Sequence, residues 1–396
     1  MFRIAKQFVI CPHLSQDPTV SILPNGDLLL LHTDYTDIIA NQKSFLRRSS
    51  DGGLTWSEPE MTLNSDLPLG GITGAVSAID NVVLIIYEEI QDHKRHPENP
   101  ILCRFIRSTD GGKSWSQPQT LIEDSRPIHC YFGQAIRVKS GRILLPVYSF
   151  SEHITPPRGQ VMILSSQDDG QTWAFLSFIE QDKSTLGSMI NETSIIELPD
   201  GRILAISRTD LFDTEKGFPL GTRSISQDGG LSWTPATFIN INISETRMRL
   251  TTDGQLVMAA RSWPGNVTTR YRPLLPEERE PGSNQRFTSR PFLMDRYYSP
   301  IRDWGVQIFT TQDDGQTWKP ELLLDGLPEL RIPEDADLLK KARYFTSYPC
   351  LEHLGNNRFF VAHRQPDPSM PDIYPGRTYS HVFQRFLLGN IVERVE

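Results

Sequence analysis

SSDGGLTW, residues 49–56, packs a hydroxyl, a carboxylate, two glycines and an indole into eight positions. Met once, it would pass for an active-site fragment. It returns as STDGGKSW (108–115), SQDDGQTW (166–173), SQDGGLSW (226–233) and TQDDGQTW (311–318). The closing tryptophans, Trp56, Trp115, Trp173, Trp233 and Trp318, are spaced by 59, 58, 60 and then 85 residues. A period this regular marks a repeated supersecondary unit rather than five reaction centres. The local chemistry agrees. Asp accepts backbone N–H bonds, Gly permits positive φ, and Ser or Thr closes the turn. Asp51 and Trp56 are therefore expected to be scaffold.

Working outward, each unit holds two β-rich runs around a hairpin triplet, such as PNG (24–26), PDG (199–201) and TDG (252–254). A third run leads into the octapeptide and a fourth follows it. Four antiparallel strands per unit make a propeller blade. A sixth hairpin, TSYPCLEHLGNNRFFVAHR (346–364), lacks the octapeptide. The fold class is thus all-β, a six-bladed β-propeller of four-stranded antiparallel blades forming a single domain over residues 1–396. The segment FRIAKQFVI (2–10) is expected to complete the sixth blade and close the ring. The surplus length of the fifth unit, 264–303, contains Arg270, Arg272, Arg286, Arg290 and Arg296. It is expected to be a long loop over one face.

Composition narrows the partners. A formal net charge of −8 over 396 residues argues against nucleic acid or an anionic membrane as the main partner. Cys11, Cys103, Cys130 and Cys350 are scattered and form neither a zinc spacing nor a disulfide framework, which suits a reducing compartment. No signal peptide or membrane span is visible, so a cytoplasmic location is expected, or a secreted one had a leader been removed. No metal or other cofactor is called for by any ligand spacing. Oligomeric state is not readable.

Residues equidistant from a hairpin turn lie opposite each other. Eight positions out, the turns at 200, 253 and 356 pair Glu192 with Arg208, Glu245 with Arg261, and Tyr348 with Arg364. The turns at 140, 80 and 25 pair Phe132 with Tyr148, Ile72 with Glu88, and Asp17 with Thr33, the last flanked by Gln16 and Asp34. All these positions fall at one end of the two innermost strands, so they should ring one mouth of the central channel. Cross-strand salt bridges would account for any one pair. Three arginines, two glutamates and tyrosines at one mouth point instead to a site for an anionic ligand.

Taken together, the octapeptides and these pairs resemble the sialidase (neuraminidase) superfamily, in which the repeat is called the Asp box or BNR repeat. The resemblance implies an exo-acting glycoside hydrolase with no cofactor, releasing an acidic terminal sugar such as sialic acid. In NETSIIELPDGRILAISR (191–208) it implies Glu192 as base and Arg208 as carboxylate ligand. In TSYPCL (346–351) it implies Tyr348 as nucleophile; a phenol avoids the repulsion that a carboxylate nucleophile would meet at a carboxylated sugar. In HTDYTD (32–37) it implies Asp34 or Asp37 as the acid. Arg261 and Arg364, with Glu245, Gln16, Asp17, His129 and Tyr148, would complete the substrate-binding wall.

Two departures stand out. Where the family opens blade one with an aromatic-Arg-Ile-Pro motif, this chain has SQDPTV, putting Gln16 or Asp17 in the arginine's place. Phe309 stands near the place of another family arginine. Two further classes therefore remain open: a lyase or altered hydrolase acting on a uronate, with Tyr348, Tyr131 or His129 moving protons, and a glycan-binding propeller without turnover.

Overall fold

The computed structural model describes residues 1–12, 15–34, 42–67, 70–91, 101–123, 128–130, 133–151, 158–211, 220–265, 267–273, 275–278, 287–293, 301–330, 346–366 and 385–395. It is an all-β propeller of six antiparallel blades. Blade one comprises Gln16–Ile22, Leu28–Thr33, Ser44–Ser49 and Met61–Leu63. Blade two comprises Gly70–Ile79, Val82–Gln91, Ile101–Ser108 and Gln119–Thr120. In blade three the first strand is split into Ile128–His129 and Ile136–Arg137, both pairing with Ile143–Ser151, before Arg158–Ser166 and Ala174–Ile179. Blade four is built from Ser188–Glu197, Ile203–Leu211, Thr222–Ser226 and Thr237–Phe238. Blade five has Ile243–Leu250, Leu256–Ser262, Gly305–Thr310 and Lys319–Leu324. Blade six has Ser347–Gly355, Arg358–Pro366 and Arg385–Arg394, and its fourth strand is the N-terminal Phe2–Cys11.

The second strand of a blade lies between two neighbouring blades and is covered on both faces. That is why Leu28–Thr33 is buried at every position and carries a run of leucines instead of an alternating pattern. The apolar core follows the same geometry. It divides into six clusters, one at each interface between adjacent blades. The cluster of Cys11, Val20, Leu28, Leu30, Phe360 and Leu387 seals blade one against blade six.

Each octapeptide is a turn wired by its own side chains. In the first, Asp51 Oδ1 accepts from the Leu54 and Thr55 amides and from Ser49 Oγ, and Asp51 Oδ2 accepts from Thr55 Oγ1 at 2.6 Å. Ser49 Oγ accepts from the Gly53 amide, and the Trp56 indole donates to the Gly53 carbonyl. Gly53, at φ +89°, sits against the Phe360 ring, where a side chain would collide. The equivalent glycines of the next four blades, Gly112, Gly170, Gly230 and Gly315, rest on Leu29, Leu84, Leu144 and Leu204 of the preceding blade. The repeat is thus a knob that docks each blade onto the one before it.

The insertion in the fifth unit differs from the expected loop. Val267–Pro273 and Phe287–Leu293 pair as an antiparallel hairpin, and Arg270 meets Leu211 of blade four in a parallel bridge. The extra length extends blade four's sheet because the end of that blade's second strand leaves an edge open to pairing.

Candidate active site

The ends of the six second strands form the mouth: Thr33, Glu88, Tyr148, Arg208, Arg261 and Arg364, in blade order. In four blades the facing first strand carries an irregularity at this level. The register slips between Gln16 and Thr19, Ile190 and Thr193, Ser244 and Thr246, and Ser347 and Cys350. The residues released by the slip are Asp17, Glu192, Glu245 and Tyr348. Three of them take positive φ: Asp17 at 51°, Glu245 at 41° and Tyr348 at 54°. For residues with a Cβ this conformation costs roughly 1–3 kcal/mol each and persists where the surroundings hold it. Pro18 and Pro349 follow two of them, where the lost ladder hydrogen bond leaves room for a residue with no N–H. The bulges turn these side chains toward the second-strand arginines.

The result is one connected network across four blades. Arg208 Nη1 donates to Glu192 Oε1 at 3.0 Å and lies 3.6 Å from Glu245 Oε1. Arg208 Nη2 reaches Asp210 Oδ1 at 3.1 Å, and Asn191 Nδ2 donates to the other oxygen of Asp210 at 2.9 Å. Glu245 is in close ion contact with Arg261 Nη2. The Arg261 guanidinium lies 5.0 Å from the Trp263 ring centre and 5.5 Å from that of Tyr348. Arg364 stacks over the Tyr348 ring at 3.8 Å, donates through Nε to Ser347 Oγ at 2.5 Å, and lies 3.8 Å from Asp17 Oδ1. Burial pushes the Glu245 carboxyl up to about 7; the neighbouring Arg261, Arg208 and Arg364 oppose this and Glu192 reinforces it. Desolvation wins although three guanidiniums are near, because a fully enclosed carboxylate has no water to share its charge.

Glu192 Oε2 is buried and has no hydrogen-bond partner among the described residues. Tyr348 is only 7% exposed, so its ring is held by packing and by the cations on its face.

Across the mouth, blades two and three present a different chemistry. His129 Nδ1 lies 3.2 Å from Glu88 Oε2, and the His129 ring stacks on Tyr148 with centroids 5.2 Å apart and planes 17° apart. His129 stands opposite Tyr148 in the strand register. Phe132, expected in that place, lies outside the described residues, as do Tyr131 and Asp37. The expected pairing of Ile72 with Glu88 is off by one: Ile72 faces Glu89 and Thr73 faces Glu88. The physical reason is the two-residue turn at Asp80 and Asn81, which puts the mirror point between residues. The expected register of Asp17 with Thr33, Glu245 with Arg261 and Tyr348 with Arg364 is also off by one. Gln16, Ser244 and Ser347 stand opposite those residues, because the bulge follows immediately and releases Asp17, Glu245 and Tyr348 from the ladder. Asp34 Oδ1 accepts from the Lys43 amide at 2.9 Å, and the Asp34 amide donates back to the Lys43 carbonyl, so this side chain is tied to the backbone at Lys43.

Three members of the network, Asp210, Asn191 and Trp263, were not singled out by the hairpin arithmetic. Asp210 was within reach of the sequence: it lies two residues beyond Arg208 on the same strand, hence on the same face. Among the described residues no group of three or more His, Cys, Asp or Glu side chains is arranged to hold a metal ion.

Comparison with known proteins gives a consistent picture. The BNR repeat-like domain family matches residues 75–361, well over half the chain. A sialidase of Micromonospora viridifaciens is 25% identical over 249 residues, which cover 56% of this chain and 36% of that protein. The chain spans about a third of the length of the sialidases it matches. A Dyadobacter fermentans protein of unknown function superposes with a TM-score of 0.65 at 18% identity, covering 100% of this chain and 99% of its own. An α-L-arabinanase of Penicillium chrysogenum superposes with a TM-score of 0.55 at 12% identity, covering 98% of each. At these identities the structural likenesses speak for the fold alone. Repeat, blade count and family match together make the chain a member of the BNR repeat-like domain family and a propeller of the sialidase superfamily.

Proposed function

We propose that the chain is a sialidase-like exo-glycoside hydrolase that releases an acidic terminal sugar, with Tyr348 as nucleophile and Glu192 as its base. The observation that carries this reading is the single network joining Glu192, Arg208, Glu245, Arg261, Tyr348 and Arg364 at one mouth. Two guanidiniums over the Tyr348 ring stabilise negative charge developing on the phenol oxygen. Glu192 Oε2 is the open acceptor for the phenol proton. Arg208, Arg261 and Arg364 face the substrate carboxylate. With its carboxyl at about 7, Glu245 is partly neutral near neutral pH, so its hold on Arg261 weakens and a substrate anion can take its place.

A second reading is an altered specificity for a neutral terminal sugar. Asp17, in close reach of Arg364, favours it by offsetting one cation of the clamp. A panel of sialosides, glucuronides and arabinosides separates the two by which free sugar appears. The same panel reads out an unsaturated uronate, the mark of a lyase, and binding without product, the mark of a non-catalytic propeller. Tyr348→Phe keeps the ring on Arg364 and removes only the hydroxyl. It should bind substrate while losing turnover by several orders of magnitude; undiminished kcat would refute Tyr348 as nucleophile.

A further inference from the structure

The mouth is chemically two-sided. Toward the ends of their second strands blades four to six carry Arg208, Arg261 and Arg364, whereas blades two and three carry Glu88 and Tyr148. Glu88 is buried, its side chain 2% exposed, and it holds His129 by Nδ1 at 3.2 Å. One face of the His129 ring is covered by Tyr148, which fixes its plane. The His129 side chain is 15% exposed. Its Nε2 makes no hydrogen bond to the described residues. A buried carboxylate on Nδ1 sets the tautomer and aims the other nitrogen, which is the arrangement of a proton-transfer imidazole. Asp34, by contrast, spends a carboxylate oxygen on the Lys43 amide.

We propose that His129, oriented by Glu88, protonates the leaving-group oxygen; the assignment rests on the hydrolase reading above. As the glycosidic C–O bond breaks, Nε2–H passes its proton to the departing oxygen. The Tyr348 oxygen forms the new bond to the anomeric carbon, and Glu192 Oε2 takes the phenol proton. In the second half, neutral His129 removes a proton from water as its oxygen replaces Tyr348, and Glu192 returns the proton to the phenol. Charge and protons balance over the cycle. The cationic half then holds the sugar that is released and the blade-two and blade-three side holds the part that leaves.

The test compares para-nitrophenyl with saccharide glycosides of the same three sugars, using the full chain and its His129→Gln and Glu88→Gln variants. Para-nitrophenolate departs without protonation, so in the first half-reaction an acid's removal is felt only on the saccharides. H129Q should lose roughly 100-fold or more in kcat/KM, which reports the leaving-group step alone, on the saccharide substrate. It should lose less than about tenfold in kcat/KM on the aryl one, while its aryl kcat falls because water attack also uses His129. Retained aryl kcat/KM also reports an intact fold. Should H129Q not fold, E88Q carries the test, because it keeps the imidazole and removes only the charge that orients it; it should show the same split, smaller. An equal loss on both substrates, or none on either, overturns the assignment while leaving the hydrolase reading in place. A wild-type chain inert on every glycoside removes both.

Discussion

Glu245 concentrates the energetics of the mouth in one side chain. It is fully buried, sits at positive φ, and carries a carboxyl raised to about 7. Because the folded chain binds this proton more tightly than the unfolded chain, the contribution to stability is full below the ordinary value of 4.5. It is lost as pH rises through about 7. Glu245→Gln removes the titration and keeps the shape. Its melting temperature should fall less than that of the wild type between pH 4.5 and 7. Parallel curves for the two proteins would show that another group sets the slope. Of the residues at the mouth, the side-chain contacts Glu192–Arg208, Glu245–Arg261 and Tyr348–Arg364 were approached by hairpin symmetry, which missed the backbone register of the last two by one residue. The bulges were not legible, since no residue preference announces positive φ at Glu245 or Tyr348, and the tolerance of Asp for it does not single out Asp17 among the chain's many aspartates. Those three conformations are imposed by tertiary packing, and they are what brings the side chains together.

At the scale of the element, the octapeptide and the bulge divide the work of a blade. The octapeptide satisfies its own polar groups locally and presents a glycine to the blade before it. Its function is docking, so its damage should appear as lost stability. Asp51→Ala removes the acceptor for two backbone amides and two hydroxyls. It should cost about 1–3 kcal/mol in denaturant unfolding, with unchanged specific activity per folded molecule. A folded Asp51→Ala protein without activity would contradict that division. The octapeptide was legible because it repeats five times. The hairpin at Val267–Pro273 and Phe287–Leu293 was not. It occurs once, its strands are rich in arginine and proline rather than alternating, and its partner is a strand edge in another blade.

For the whole molecule, the closure of blade six by Phe2–Cys11 decides stability. This strand pairs with Arg385–Arg394 along nearly its full length, and Phe8 packs directly on Gly389. Phe2 and Cys11 also contribute to the clusters that join blade six to its two neighbours. Deleting residues 1–11 would bare the edge of Arg385–Arg394 and open both interfaces. The truncated chain should unfold at a much lower temperature and aggregate, as read by calorimetry and light scattering. An unaltered melting temperature would show that the ring holds without this strand. The closure was foreseeable because the sixth hairpin lacked a fourth run and the first segment had no partner of its own. The asymmetry of the mouth was harder to see, since it appears only when all six strand ends are set around one axis.

The same strand has a consequence during synthesis on the ribosome. Its partner, Arg385–Arg394, is the last described strand to be made. The first strand therefore waits, unpaired, while the five intervening blades and the rest of blade six emerge. Asp17 meets Arg364, which Tyr348 already covers within blade six, only when blade six has packed against blade one. A prematurely terminated product can hold several well-formed blades and still lack a complete mouth, so the architecture itself withholds the site from unfinished chains.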